Sequence, residues 1–146
     1  MIALANHKGG VTKTTSTANL GALFAEAGRR VLIVDCDPQA NLSEAFGWTD
    51  ELPGERLEDL LAHPDVAADL PALAGAGYEN RLRDVLDPFR DRFDLVLLDT
   101  PPGRGNLSGM AVLAADGLLI PALAADLDVR GAGKLYDLVE GEIPGL

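Results

Sequence analysis

Four short unbroken apolar runs punctuate this chain, and longer amphipathic stretches separate them. The runs are Ile2-Ala3-Leu4-Ala5, Val31-Leu32-Ile33-Val34, Leu95-Val96-Leu97-Leu98 and Gly117-Leu118-Leu119-Ile120. Runs this short, with no polar alternation, predict strands buried on both faces, as in a parallel sheet covered by helices. The strands are placed at residues 2–6, 30–34, 93–98 and 117–120. Between the first two, Leu20, Leu23, Phe24 and Ala27 recur on one face at helical spacing, and Gly28 supplies a stop. Strand, helix and strand inside the first forty residues make a βαβ unit with a right-handed crossover.

The middle is less regular. Residues 42–46 and 57–62 read as short helices, and Pro53-Gly54, Pro64, Pro71 and Gly75-Ala76-Gly77 interrupt the pattern. Residues 80–92 read as an amphipathic helix through Leu82, Val85, Leu86 and Phe89, with Pro88 breaking or kinking it. A last helix is placed at 128–140. The expected class is α/β: one domain over residues 1–146, with a mostly parallel sheet and helices on both faces.

Composition narrows this picture. The 146 residues suit one domain with a real core. Hydrophobic residues are 47% and aromatics only 5%, so alanine, leucine and valine must fill the interior. A formal net charge of -11 repels DNA phosphates and anionic lipid, which excludes strong nucleic-acid binding by this stretch alone. No apolar run has membrane-spanning length, and the first lacks the basic flank of a signal peptide. Cys36 is the single cysteine, which fits a reducing cytoplasm and a role as small apolar filler.

The chemistry lies at the strand ends. After the first strand the chain reads Asn6-His7-Lys8-Gly9-Gly10-Val11-Thr12-Lys13-Thr14-Thr15. A strand feeding a glycine-rich turn and then a helix is a phosphate cradle, because first-turn amides lack intrahelical partners and carry the positive end of the helix dipole. Gly9 and Gly10 allow close backbone approach. Lys13 reaches the terminal phosphates, and the Thr14 hydroxyl sits where a magnesium ligand belongs. The second and third strands end on Asp35-Cys36-Asp37-Pro38-Gln39 and Asp99-Thr100-Pro101-Pro102. Two acidic tips beside a phosphate loop are what a magnesium-triphosphate site requires: one carboxylate for the metal's water shell, the other to orient the attacking water. Taken singly, Asp35 and Asp37 also fit an Asp-Pro turn, and Asp99 a helix cap. His7 reads as a solvated loop histidine, His63 as surface, Trp48 as packing and Arg104 as solvated. Arg29 and Arg30 read as a basic pair at a helix C-terminus.

Lys8, Gly9, Gly10, Lys13 and Thr14 resemble the deviant Walker A motif of the ParA/MinD family, K-G-G-x-x-K-[ST]. Residues 35–41 resemble that family's D-x-D-P-Q-[GA]-N, and residues 99–102 its D-[CT]-P-P. The resemblance covers most of the chain. It implies a P-loop ATPase fold with ATP and Mg2+ as ligands and residues 8–15 as the phosphate loop, Val11 and Thr15 included. It implies that Lys8 reaches the partner's phosphates in an ATP-dependent homodimer and that Asp37 positions the attacking water. It also implies that Asp35 and Asp99 serve the magnesium with Thr14, and that residues 103–109 form a second switch. The partners it implies are a ParB-like activator and nonspecific DNA bound through regions outside this chain. The implied place is the cytoplasm, on the nucleoid.

Three departures stand beside the match. Thr12 occupies a position where most members carry glycine, and as a tolerable N-cap it reads as a variant of the loop. No β-branched apolar run stands between Leu61 and Asp91, where the family has a further strand. The chain also reads as truncated after Leu146, where the family continues with its adenine contacts and its DNA- or membrane-binding surface. The leading expectation is a ParA-like partition ATPase. The alternatives are a MinD-like regulator of division-site placement and a degenerate nucleotide-binding module without turnover. A nitrogenase-type iron protein fails on its need for cluster cysteines.

Overall fold

The computed structural model describes residues 1–48, 80–103, 106–123 and 133. The helices expected at 57–62 and 128–140, the search for a further strand, His63 and Arg104 fall largely or wholly outside these residues.

Strands β1 (Ile2–Leu4), β2 (Val31–Asp35), β3 (Leu95–Asp99) and β4 (Gly117–Leu119) form one sheet in the order β2-β3-β1-β4. Every pairing is parallel, with Leu4 and Asp35 both in register with Asp99. The tips of β1, β2 and β3 therefore lie side by side. Among the described residues the α-helices are α1 (Lys13–Glu26), α2 (Asn41–Ala45), α3 (Arg81–Leu86) and α4 (Asn106–Ala114).

The two faces follow from strand alternation. Ala3, Val96 and Leu98 meet Leu82 and Leu86 of α3 and Met110, Ala111 and Ala114 of α4 in one apolar cluster. Leu97 and Ile33 point the other way, toward α1, where a side chain at Gly21 would bring its first carbon to 2.4 Å from Ile33 Cδ1. Helix α1 thus seats on the sheet through small or polar positions, and its buried residues are Lys13, Thr17 and Gly21, four apart. The apolar stripe read from the sequence is not that face: Leu23 and Phe24 are exposed at 61% and 43%. Close helix–strand approach favours glycine over leucine here, and periodicity alone does not say which side of a helix meets the sheet.

Element boundaries move by a residue or two, as helix and strand ends do. The helix read at 80–92 stops at Leu86 and continues as a 3-10 turn at Asp87–Phe89 around Pro88. Helix α4 was not read from the sequence, because its glycine and small apolar residues carry no marked polar face. Gly28 ends α1 at φ 79° as expected. Arg30 does more than face a helix end. Its amide and guanidinium both bind the Asp94 carboxylate (2.8 Å each), and its carbonyl accepts the Asp94 amide. This ties the starts of β2 and β3 together, and the guanidinium holds Asp94 down at about 2. Cys36 is buried, and burial with nearby carboxylates pushes its thiol far up, so it is unreactive filler as read. Trp48 is half-buried and its amide donates to the Ser43 carbonyl.

Candidate functional site

The loop between β1 and α1 is held from both sides. Asn6, 3% exposed, donates from Nδ2 to the Pro121 carbonyl beyond β4 (2.9 Å) and accepts the Lys8 amide at Oδ1 (3.0 Å). The His7 carbonyl accepts the Gly103 amide (3.0 Å), and its ring Nδ1 lies 3.4 Å from the Gly103 carbonyl. His7 is therefore half-buried against the loop that follows β3, not solvated. Beneath it, Thr100 donates its hydroxyl to the Leu4 carbonyl (2.8 Å). These partners lie about a hundred residues apart in sequence, so no local pattern announces them.

Within the loop, Gly10 takes φ 74°, where an L side chain is disfavoured. Gly9 is not in that region, and its α-carbon faces Pro102. Val11 is buried, Thr14 half-buried, and Thr15 exposed on the first turn of α1. Thr12 stands at the N-cap position of α1, as read, but it is exposed at φ 64° and its side chain makes no capping hydrogen bond.

Lys13 turns inward. It is 6% exposed, and its ammonium donates to the Lys8 carbonyl (3.3 Å) across the loop. Burial lowers its pKa, and the charges of Asp99 and Asp37 pull it part of the way back. Lys8 itself stands exposed at the loop's rim.

Asp99 and Asp37 act on Lys13, Asp35 stands beside Asp99, and the three carboxylates differ in environment. Asp99 is 1% exposed. Burial pushes its carboxyl up to about 6, Asp35 adds to the shift, and hydrogen bonds from Thr14 and Thr17 with the charge of Lys13 oppose it. The Thr17 hydroxyl lies 3.0 Å from the Lys13 carbonyl and 3.3 Å from Asp99 Oδ1. Asp35 accepts the amide and hydroxyl of Ser43 at Oδ2 (2.9 Å each) and the Asp37 amide at Oδ1 (3.1 Å), which fixes the following turn against α2. Asp37 is half-buried and accepts the Gln39 amide (3.0 Å).

Asp99 is 1% exposed, so burial leaves its carboxylate short of the solvation that an ionised group needs. That shortage, with the Thr14 hydroxyl and Asp35 beside it, suits a hard divalent cation with oxygen ligands. Among the described residues no three His, Cys, Asp or Glu side chains form a metal cage. Magnesium needs none, since it keeps several waters and shares its shell with phosphates. A cavity of about 610 Å³ lies along β2 and reaches Asp35 and Asp37, but no phosphate-loop residue lines it, so it is not the phosphate site.

Asp99 also sets a pH dependence. Its folded pKa lies above the ordinary carboxyl value, so the native state binds more protons than the unfolded chain between about pH 4 and 6. The Asp99 contribution to stability is fullest below that window and is lost as pH rises through it. Asp99→Asn should raise the stability of the nucleotide-free protein at pH 7.5 by on the order of 2 kcal/mol and remove this slope. Thermal melts from pH 4 to 8 measure it; an unchanged slope in the variant means that Asp99 is not the titrating group.

A parallel sheet with a phosphate loop at its carboxyl edge, a buried lysine and flanking acidic tips defines a P-loop nucleotide-binding domain. Residues 2–140 match the CobQ/CobB/MinD/ParA nucleotide binding domain, and the chain belongs to that family. The chromosome-partitioning ATPase Soj of Thermus thermophilus is 41% identical over 162 aligned positions, covering 99% of this chain and 63% of Soj. An uncharacterised Mycobacterium tuberculosis protein is 38% identical, covering 96% of this chain and 52% of its own length. Among solved structures, cobyrinic acid a,c-diamide synthase of Mycobacterium smegmatis, with a bound ATP analogue and magnesium, superposes with a TM-score of 0.81. It shares 35% identity, covering 96% of this chain and 64% of the synthase. The chain thus spans between about half and two thirds of the length of these relatives. The alignment to Soj is longer than the chain itself, so Soj carries residues within the matched span that this chain lacks.

Proposed function

We propose that this chain is the nucleotide-binding part of a ParA-like partition ATPase, a Mg-ATP-dependent dimerising switch that hydrolyses ATP to position or segregate DNA or other cargo. The observation that carries the reading is that Lys13 feels the charges of both Asp37 and Asp99, brought to it by the loops and tips at the carboxyl ends of three adjacent strands. The 41% identity to the chromosome-partitioning ATPase Soj supplies the choice within the family.

In this reading the α1 amides and Lys13 hold the phosphates, and Lys13 neutralises charge that builds up on them during transfer. Thr14, Asp99 and Asp35 are the residues that would hold magnesium, which when bound supplies charge neutralisation on the phosphate oxygens. Asp37 orients the water for in-line attack on the phosphoanhydride. Lys8 is exposed at the rim, and in this reading it reaches the phosphates of a second subunit. A ParB-like activator and nonspecific DNA are its proposed partners, and the cytoplasmic nucleoid its proposed place. Among the described residues no helix is long and apolar enough to cross a membrane.

The test is phosphate release from Mg-ATP by the full-length protein, alone and with DNA and its partner. Release that both additions stimulate supports the switch. ATP binding with no release under any of these conditions would leave a binding module without turnover.

A further inference from the structure

Two non-glycine residues among those described have positive φ, Thr12 at 64° and Ala40 at 54°. Each immediately precedes a helix, α1 or α2, and each lies in a loop that contributes to the same site. Backbone strain is therefore concentrated where the phosphates and the attacking water are to be held. The two positions are not equal. Alanine carries only Cβ, whereas threonine is branched there, and a β-branched residue in the left-handed region is a genuine outlier.

Nothing at Thr12 offsets this. Its side chain is exposed and makes no capping hydrogen bond. Its carbonyl accepts the Ser16 amide at 2.7 Å, the first turn of α1, so this φ comes with the helix start that presents the amides. Gly10, two residues earlier, already provides the loop's other left-handed turn. The phosphate-binding shape of the loop is thus the strained one, held by Asn6 and Lys13 at Lys8 and by Gly103 at His7 against the penalty at Thr12.

We infer that Thr12 lowers the nucleotide affinity of this loop: strain at Thr12 makes the binding shape less favoured in the empty protein than glycine would, and bound nucleotide stabilises it. The inference rests on the nucleotide-site reading above and adds how that site is regulated. Apparent affinity falls by the fraction of protein in the competent shape. With a left-handed penalty of the size usual for L residues, the expected loss is about tenfold relative to glycine.

The experiment compares Mg-ADP and Mg-ATP affinities of the full-length protein with those of Thr12→Gly and Thr12→Asn by titration calorimetry. Asparagine is bulky but tolerates the left-handed region, so it separates backbone strain from side-chain bulk. The expected result is about tenfold tighter binding by Thr12→Gly and an intermediate gain by Thr12→Asn. Equal affinities for all three proteins overturn the inference and leave the nucleotide site standing. Weaker binding by Thr12→Gly also overturns it, and points to a hydroxyl contact with the nucleotide. A gain with glycine but none with asparagine overturns strain in favour of bulk. Absence of binding by every form overturns both the inference and the reading beneath it.

Discussion

Replacing Lys13 with alanine should weaken Mg-ATP binding at least a hundredfold while leaving the fold intact. The ammonium is buried beside two carboxylates and inside the loop that would receive the phosphates. Hydrogen bonds to charged groups contribute about 1.5–3 kcal/mol each, and Lys13 has several donors, so a loss of about 3 kcal/mol or more is expected. The fold should tolerate the change because burial already disfavours the charged form, and the variant removes a desolvated charge. A second consequence follows. Lys13 is one of the charges that hold the Asp99 carboxyl down, so its loss pushes that carboxyl above about 6 and weakens the metal side as well. Calorimetric titration beside a thermal melt checks both parts; unchanged ATP affinity in a folded Lys13→Ala protein would refute the loop assignment.

Asp37→Ala should separate binding from turnover. Asp37 is more exposed than Asp99 and takes no part in the Thr14 and Thr17 hydrogen bonds, so the phosphate and metal groups survive its loss. Positioned acid–base groups contribute about 10²–10⁴-fold, and hydrolysis should fall by at least about a hundredfold with ATP affinity little changed. Single-turnover phosphate release by the full-length protein gives the rate, and size-exclusion chromatography with ATP reports whether the dimer persists. Turnover at the wild-type rate removes Asp37 from its proposed role.

The parts of this site that sequence announces are those encoded contiguously. Residues 8–14, 35–41 and 99–102 carry their chemistry in fixed short spacings, and the apolar runs before them place each at a strand tip. The residues that hold these loops in place were silent. Asn6 meets Pro121, Thr100 meets Leu4 and His7 meets Gly103, all pairings that exist only once the sheet has formed. The seating of α1 was hidden for another reason: its sheet-facing side is threonine and glycine, while its leucine and phenylalanine lie outward. The conformation of Thr12 was hidden too, because a threonine before a helix reads as a cap until its φ is known.

The hydroxyl of Thr17 has one proton, yet it lies within bonding distance of two acceptors, the Lys13 carbonyl and Asp99. When Asp99 is protonated, its own hydrogen completes a relay from carboxyl to hydroxyl to carbonyl. When Asp99 is ionised the relay is one proton short, and Thr17 must choose. The centre of this site is therefore sensitive to positive charge, and under the proposed function a cation arriving with a nucleotide would supply the charge that a proton supplies in acid.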